Sequence, residues 1–419
     1  MKRLAVLLIS VPVSAQTPLT YEAYEQKVLD YSIALKQSKE QSQAMQAAVK
    51  VAHASYLPII ESEGTYQYRL NNSSIEIGSS ETPLKHQSYS LGLNITQPIY
   101  TGGATTSTYK SARIDSQMAE ESVELATDNI IHSAQLAYWS TSAQKEMYET
   151  MCDYVDIIER LVVVLQEKYT NGYISRTDLL QMQTRLKEAQ LQRSNSLQAY
   201  LTSQHAMNTL MGHNATDSTI VAESVLAPPS MPPIIDYETA ISMRPDFAIA
   251  SLDINRQRQQ AKLATSHFSP SIHTGIQQTL GTDAMNITGD IKTNYVLFVS
   301  FRMPVITWGA RSKTKAMQRA ITNMKALDLQ DTYNQIELEV ARAMTSMQET
   351  RKQIGIAEEN FRLAEENLKT VTFSYTEGRL TILDVLSSQL TWIQARTNLI
   401  QSCLSHHIAQ ADYRKATSQ

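Results

Sequence analysis

The residues of this chain that could do chemistry are few, and most stand alone. Nine histidines are spread along it: His53, His86, His132, His205, His213, His267, His273 and the adjacent pair His406-His407. None has the HExxH or CxxC company that a metal site uses, so they read as solvated or polar-face side chains and no metal ligand set is assigned. Cys152 and Cys403 are the only cysteines. They stand 20 and 25 residues from two glycine turns, a height mismatch of roughly 7 Å at helical rise. That argues for small packing residues rather than a disulfide. TGGATTST (101–108) has glycines but no GK[ST] after them, so it is not a phosphate loop. No Ser/His/Asp grouping and no paired carboxylates assemble from local spacing. The chain reads as a non-enzyme with no cofactor.

One pattern recurs. Residues 168–183 read KYTNGYISRTDLLQMQ and residues 374–389 read SYTEGRLTILDVLSSQ. Tyr169 falls on Tyr375, Gly172 on Gly378, Asp178 on Asp384, Leu180 on Leu386 and Gln183 on Gln389, at a constant offset of 206. The chemistry available here is that of a turn: glycine for a left-handed helix cap, and Ser175 or Thr177, and Thr381, to cap a returning helix. Asp178 and Asp384 follow in the first turn, where a helix N-terminus favours negative charge.

The elements that hold these turns are also written twice. Tyr21-Glu22 matches Tyr237-Glu238, AHASYLP (52–58) matches ATSHFSP (264–270), and QPIYTGGA (97–104) matches MPVITWGA (303–310). The first repeat is set at 16–226 and the second at 237–419, with a Pro-rich connector over 227–236 around APPSMPP. Each repeat opens on a helical stretch, 19–56 and 245–267. A strand pair follows, about 58–70 with 88–98 and 270–281 with 291–303. Residues 104–171 then contain neither Gly nor Pro, and 310–377 contain only Gly355. Helices of that length reach roughly 100 Å, too long for an ordinary globular core. Their thin apolar seams suit helices packed side by side in a wall with one wet face. Returning helices over 174–211 and 380–416 close two long hairpins with tips at about 169–180 and 375–386.

The strands alternate. Tyr89, Leu91, Leu93 and Ile95 share one face against Ser90, Gly92, Asn94 and Thr96. Tyr295, Leu297, Val299, Phe301 and Met303 share another against Ser300 and Arg302. Such strands fit either a soluble sheet with one buried face or an outer-membrane barrel. Four strands cannot close a barrel alone, so a barrel requires several copies to pool them. Pro98 and Pro304 are expected to end strands, and Gly102, Gly103 and Gly309 to permit sharp strand-to-helix elbows. Tyr56, Tyr100 and Trp308 stand near those elbows, where an aromatic girdle would lie.

Composition is consistent with export. MKRLAVLLISVPVSAQ has a basic start, a short apolar run and a Val13-Ser14-Ala15 cleavage site, so 1–15 is read as a signal peptide with the mature chain starting at Gln16. No Cys follows the cut to take a lipid anchor. Beyond it, 35 basic residues face 41 acidic ones, which gives no nucleic-acid footprint. No later stretch is apolar enough for a membrane-spanning helix. No Met-rich or Cys/His-rich run points to a metal cargo.

YLP (56–58), QPIYTGG (97–103), RPDF (244–247) and YTEGRLTILDVLSSQ (375–389), in that order, resemble the TolC-type outer-membrane efflux proteins over nearly the whole mature chain. The resemblance implies a mainly α fold with a small β part, assembled as a homotrimer. Its four strands per protomer would pool into a 12-stranded barrel in outer-membrane lipid, joined to a periplasmic α-helical tunnel of a Gram-negative bacterium. It implies a passive duct docked on a periplasmic adaptor and an inner-membrane transporter, in drug efflux or type I secretion. The alternative is a periplasmic coiled-coil scaffold with no pore. By the same resemblance Asp384 matches a constriction acid and Tyr375 a gate tyrosine. Arg379 stands one position before the related arginine, where this chain has Leu380, and Ser387 replaces a second acid. We expect Arg379 to pair with Asp178 of a neighbouring hairpin. The expected docking tips are Gly172, Thr177, Leu179 and Leu180 in the first repeat and Gly378, Leu380, Val385 and Leu386 in the second.

Overall fold

The structure, a computed structural model, describes residues 18–227, 229–282 and 286–419. The signal peptide expected over 1–15 and Pro228 of the connector lie outside the described residues. The elements run α1 (Tyr21–Tyr31), α2 (Ile33–Ala54), β1 (Ile59–Tyr68), β2 (Ser74–Ile77), β3 (Ser80–Pro83), β4 (Gln87–Tyr100), α3 (Ala104–Thr170) and α4 (Arg176–Leu210). They continue with α5 (Tyr237–Met243), α6 (Pro245–Ser266), β5 (Ser271–Gly281), β6 (Lys292–Arg302), α7 (Ala310–Thr376) and α8 (Ile382–Thr417). The fold is mainly helical with a small sheet. α3 and α7 are unbroken for 67 residues each, as the absence of proline from both allows.

The first helical stretch is two helices, not one. The Ser32 hydroxyl accepts the Leu35 N–H at 3.3 Å and caps α2, while the Ser32 N–H closes α1 on the Val28 carbonyl at 2.9 Å. In the second repeat Arg244 is extended (φ −77°, ψ 123°), as the residue before a proline prefers, and separates α5 from α6.

The chain forms two compact units that cut across the repeats. One holds 18–37, 124–244 and 333–419; the other holds 38–123 and 245–332. The first unit is helical. One apolar cluster joins Tyr154, Ile158 and Leu165 of α3 to Met182 of α4 and Val385 of α8. Another joins Val225, Ile354, Ile400 and Cys403. The connector is strapped to α8: the Tyr413 hydroxyl donates to the Pro233 carbonyl at 3.3 Å and accepts the Ile235 N–H at 3.2 Å. Both carboxylate oxygens of Glu223 accept the Tyr21 N–H, at 3.2 and 3.1 Å, and the Tyr138 hydroxyl also donates to Glu223.

His406 and His407 are not solvated, contrary to the sequence reading. Both are buried in the first unit. His406 Nδ1 lies 3.0 Å from the Thr350 hydroxyl. His407 stacks on Trp139 with ring centres 3.7 Å apart, and its Nε2 lies 3.2 Å from the Val225 carbonyl. Burial pushes the His407 pKa down to about 4. Both cysteines are free thiols.

The second unit carries a four-stranded antiparallel sheet in the order β1-β4-β5-β6. Ile60, Ile95, Ile276 and Leu297 stand in one row across it, and Glu61, Asn94 and Gln277 in the next. The apolar face is uncovered: Leu91 is 56% exposed, Leu297 76% and Val299 73%. A soluble sheet would bury that face. β2 and β3 form a separate hairpin, turned at Gly78, that the sequence reading did not include. Among the described residues no helix is long and apolar enough to cross a membrane.

Candidate functional site

The two repeated turns have the same backbone construction. In the first unit α3 ends with the Tyr173 N–H on the Lys168 carbonyl at 2.8 Å and the Gly172 N–H on the Tyr169 carbonyl at 2.9 Å. α7 ends with the Arg379 N–H on the Ser374 carbonyl at 2.9 Å and the Gly378 N–H on the Tyr375 carbonyl at 3.0 Å. These are paired Schellman bonds around a left-handed glycine. Gly172 and Gly378 have φ of +76° and +74°, which any other L-residue adopts only under strain.

The returning helices start on matching caps. The Ser175 hydroxyl, not that of Thr177, accepts the Asp178 N–H at 3.2 Å, and Asp178 Oδ2 accepts the Ser175 N–H at 3.2 Å. The Thr381 hydroxyl lies 3.4 Å from the Asp384 nitrogen, and Asp384 Oδ2 accepts the Thr381 N–H at 2.8 Å and its hydroxyl at 2.7 Å. Each is a capping box with aspartate in the third position. The bonds from the Thr381 hydroxyl and N–H hold the Asp384 carboxyl below its ordinary value. All of them fall on Oδ2, and Oδ1 of this exposed side chain accepts no hydrogen bond among the described residues.

Tyr375 is 7% exposed, inside the apolar cluster that holds the tips together. The Lys168 ammonium lies 4.8 Å from its ring centre, a cation–π contact between the ends of α3 and α7. Burial, and then the Asp178 charge, raises the phenol pKa. Arg379 makes no ion pair within this chain, among the described residues. Ser387 is exposed.

The docking residues divide into two groups. Thr177, Leu180, Leu380 and both glycines are exposed, whereas Leu179 and Val385 are buried in the apolar cluster and Leu386 packs against it. Leu179 and Val385 therefore support the tips from within and offer no outer surface. Tyr173 and Leu383 are exposed instead, which position after a glycine and helical phase could have shown.

The elbows lie in the second unit. Pro98 does not end its strand: β4 runs on to Tyr100 through an irregularity in its pairing with β5. β1 begins opposite Thr96, so the missing N–H of Pro98 costs no bond on that side. Pro304 lies two residues beyond the end of β6. Gly102, Gly103 and Gly309 all have positive φ, as does Trp308 at +49°. At Gly102 a Cβ would stand 2.5 Å from the Ser266 carbonyl oxygen, so the elbow packs directly on the end of α6.

Residues 25–213 and 237–419 match the family model described as outer membrane efflux protein. The outer membrane protein TolC of Vibrio cholerae serotype O1 is 22% identical over 219 residues, 51% of this chain and 50% of that relative, so the match spans half the relative's length. Among solved structures, CusC superposes with a TM-score of 0.83 at 14% identity, covering 95% of this chain and 91% of that one. The Campylobacter jejuni CmeC outer membrane channel gives 0.81 at 16%, covering 95% and 85%. VceC of Vibrio cholerae gives 0.79 at 17%, covering 95% of each. The chain belongs to the outer membrane efflux protein family and so is an outer-membrane protein with its helical part on the periplasmic side.

Proposed function

We propose that the chain is a passive outer-membrane exit duct of a tripartite system. Three copies pool their sheets into one 12-stranded barrel, and their six hairpins ring one pore. The tips meet a periplasmic adaptor, and an inner-membrane transporter supplies the energy. The observation that carries this reading is the uncovered apolar face of β4 and β6 on a sheet whose edge strands β1 and β6 each lack a second neighbour. Lipid covers such a face and neighbouring copies pair such edges. A pore-less scaffold would leave both in water.

Three Asp384 side chains around one axis narrow the periplasmic end and favour cations. Single-channel conductance in planar bilayers tests this for the unaltered chain and for Asp384→Ala. A small cation-preferring conductance that shifts in size or selectivity in the variant is expected. Silence from both, and from Arg379→Ala made to loosen the tips, would reject the duct. Arg379 pairs with Asp178 of a neighbouring hairpin in this reading. The exchange Arg379→Asp/Asp178→Arg should restore the closed conductance that either single change loses; failure to restore it removes the pairing.

A further inference from the structure

Below the elbow that leads from β6 into α7, the second unit has a groove of about 360 Å³ between α6 and the start of α7. Lys262 comes from α6; Arg311, Lys315 and Arg319 come from α7, at helical spacings that put them on one face. No acidic residue lines the groove. None of the four cations is ion-paired among the described residues. Arg311 also sits against the local electrostatics: the first turn of α7 has no acid, and a helix N-terminus already carries positive partial charge. Four unneutralised cations around one groove call for an anion.

A second observation says where that anion comes from. The residues just above the groove are apolar and bare: Ile306 is 70% exposed and Trp308 93%. An exposed tryptophan followed within one helical turn by cations is the pattern of a chain at a lipid–water boundary.

We propose that this groove binds the phosphate headgroup of an anionic phospholipid from the periplasmic leaflet, with Ile306 and Trp308 against its acyl chains. The source of the headgroup rests on the duct reading, which sets the elbow at the membrane surface. One such site is expected per protomer, not two. The first repeat has Thr105 and Tyr109 where the second has Arg311 and Lys315, and keeps only Lys50 and Arg113 where the second has Lys262 and Arg319, so its elbow carries two cations against four.

The test uses the full chain, extracted in detergent and reconstituted with phosphatidylcholine doped with phosphatidylglycerol. Native mass spectrometry counts retained lipid. The unaltered protein should keep one phosphatidylglycerol per protomer in preference to phosphatidylcholine. Lys315→Gln/Arg319→Gln should weaken that retention by roughly tenfold or more, at about fivefold per cation near a membrane surface. The charge-matched Lys313→Gln/Lys369→Gln, which leaves the groove intact, should not. Equal retention in the groove variant and the unaltered protein would overturn the site. Displacement by inorganic phosphate at matched concentration would overturn the lipid source and leave a soluble-anion site. Conductance in pure phosphatidylcholine is read in parallel. The groove variant should still conduct; silence from the unaltered protein with lipid retention intact would count against the duct and not against the groove.

Discussion

In the proposed duct Asp384 has two tasks, and they fall on different oxygens. Oδ2 caps α8 through Thr381, and Oδ1 would face the pore. Because the folded pKa is depressed, the charge is present above the ordinary aspartate value of 3.8 and is lost only as pH falls through the lower folded value. Cation preference should therefore survive titration to pH 3.8, and Thr381→Val should make it fail at higher pH. His407 runs the other way. Its pKa is lowered to about 4, so the folded chain stays unprotonated while the unfolded chain takes up a proton below about 6.5. Stability is then lost as pH falls from about 6.5 to about 4, on the order of 3 kcal/mol for this group. His407→Phe should flatten that loss when unfolding midpoints are compared across the window. Only the first of these could be read in the chain. The aspartate is recognisable because its cap is local. The histidine depends on Trp139 and Val225, which are remote in sequence and declare nothing by spacing.

The hairpin turns show how far local chemistry specifies an element. Two glycines at the same phase of a repeated segment sufficed to show where α3 and α7 end, because the Schellman bonds need nothing beyond six residues. Gly378→Ala should cost about 1 kcal/mol, the price of a left-handed L-residue, seen as faster hydrogen exchange over 374–380 with the rest of α7 unchanged. Gly102→Ala should be far more damaging, since its Cβ would meet a carbonyl oxygen at 2.5 Å rather than open space. The break at Ser32 escaped notice because a serine cap inside YSIALKQ has no glycine or proline beside it. Pro98 misled for the opposite reason: a proline marks a strand end only where a neighbour needs its N–H, and β1 does not reach that far.

At the scale of the whole molecule, period-2 alternation told which strand face is apolar, but not what covers it. That depends on solvent rather than on sequence. The register turns the alternation into a test. Leu297 and Ser300 lie on opposite faces of β6. Leu297→Arg should cost about 2–4 kcal/mol if that face meets lipid at mid-depth, and should abolish heat-modifiable migration of the outer-membrane fraction. Ser300→Arg should leave it intact. The mainly helical fold class was legible from two glycine-poor runs of equal length. The two compact units were not, because each takes pieces from both repeats.

The open edges of β1 and β6 have a further consequence. A chain with two unspent hydrogen-bonding edges is a fold without a boundary, and in the proposed trimer its completion is an encounter between molecules. Its lifetime as a single copy is a matter of concentration and transit time. Every copy crossing the periplasm alone offers those edges, ten and eleven residues long, to any strand it meets. On that reading assembly competes with mispairing from the moment the sheet forms, and whatever shortens that interval sets the yield of the finished protein.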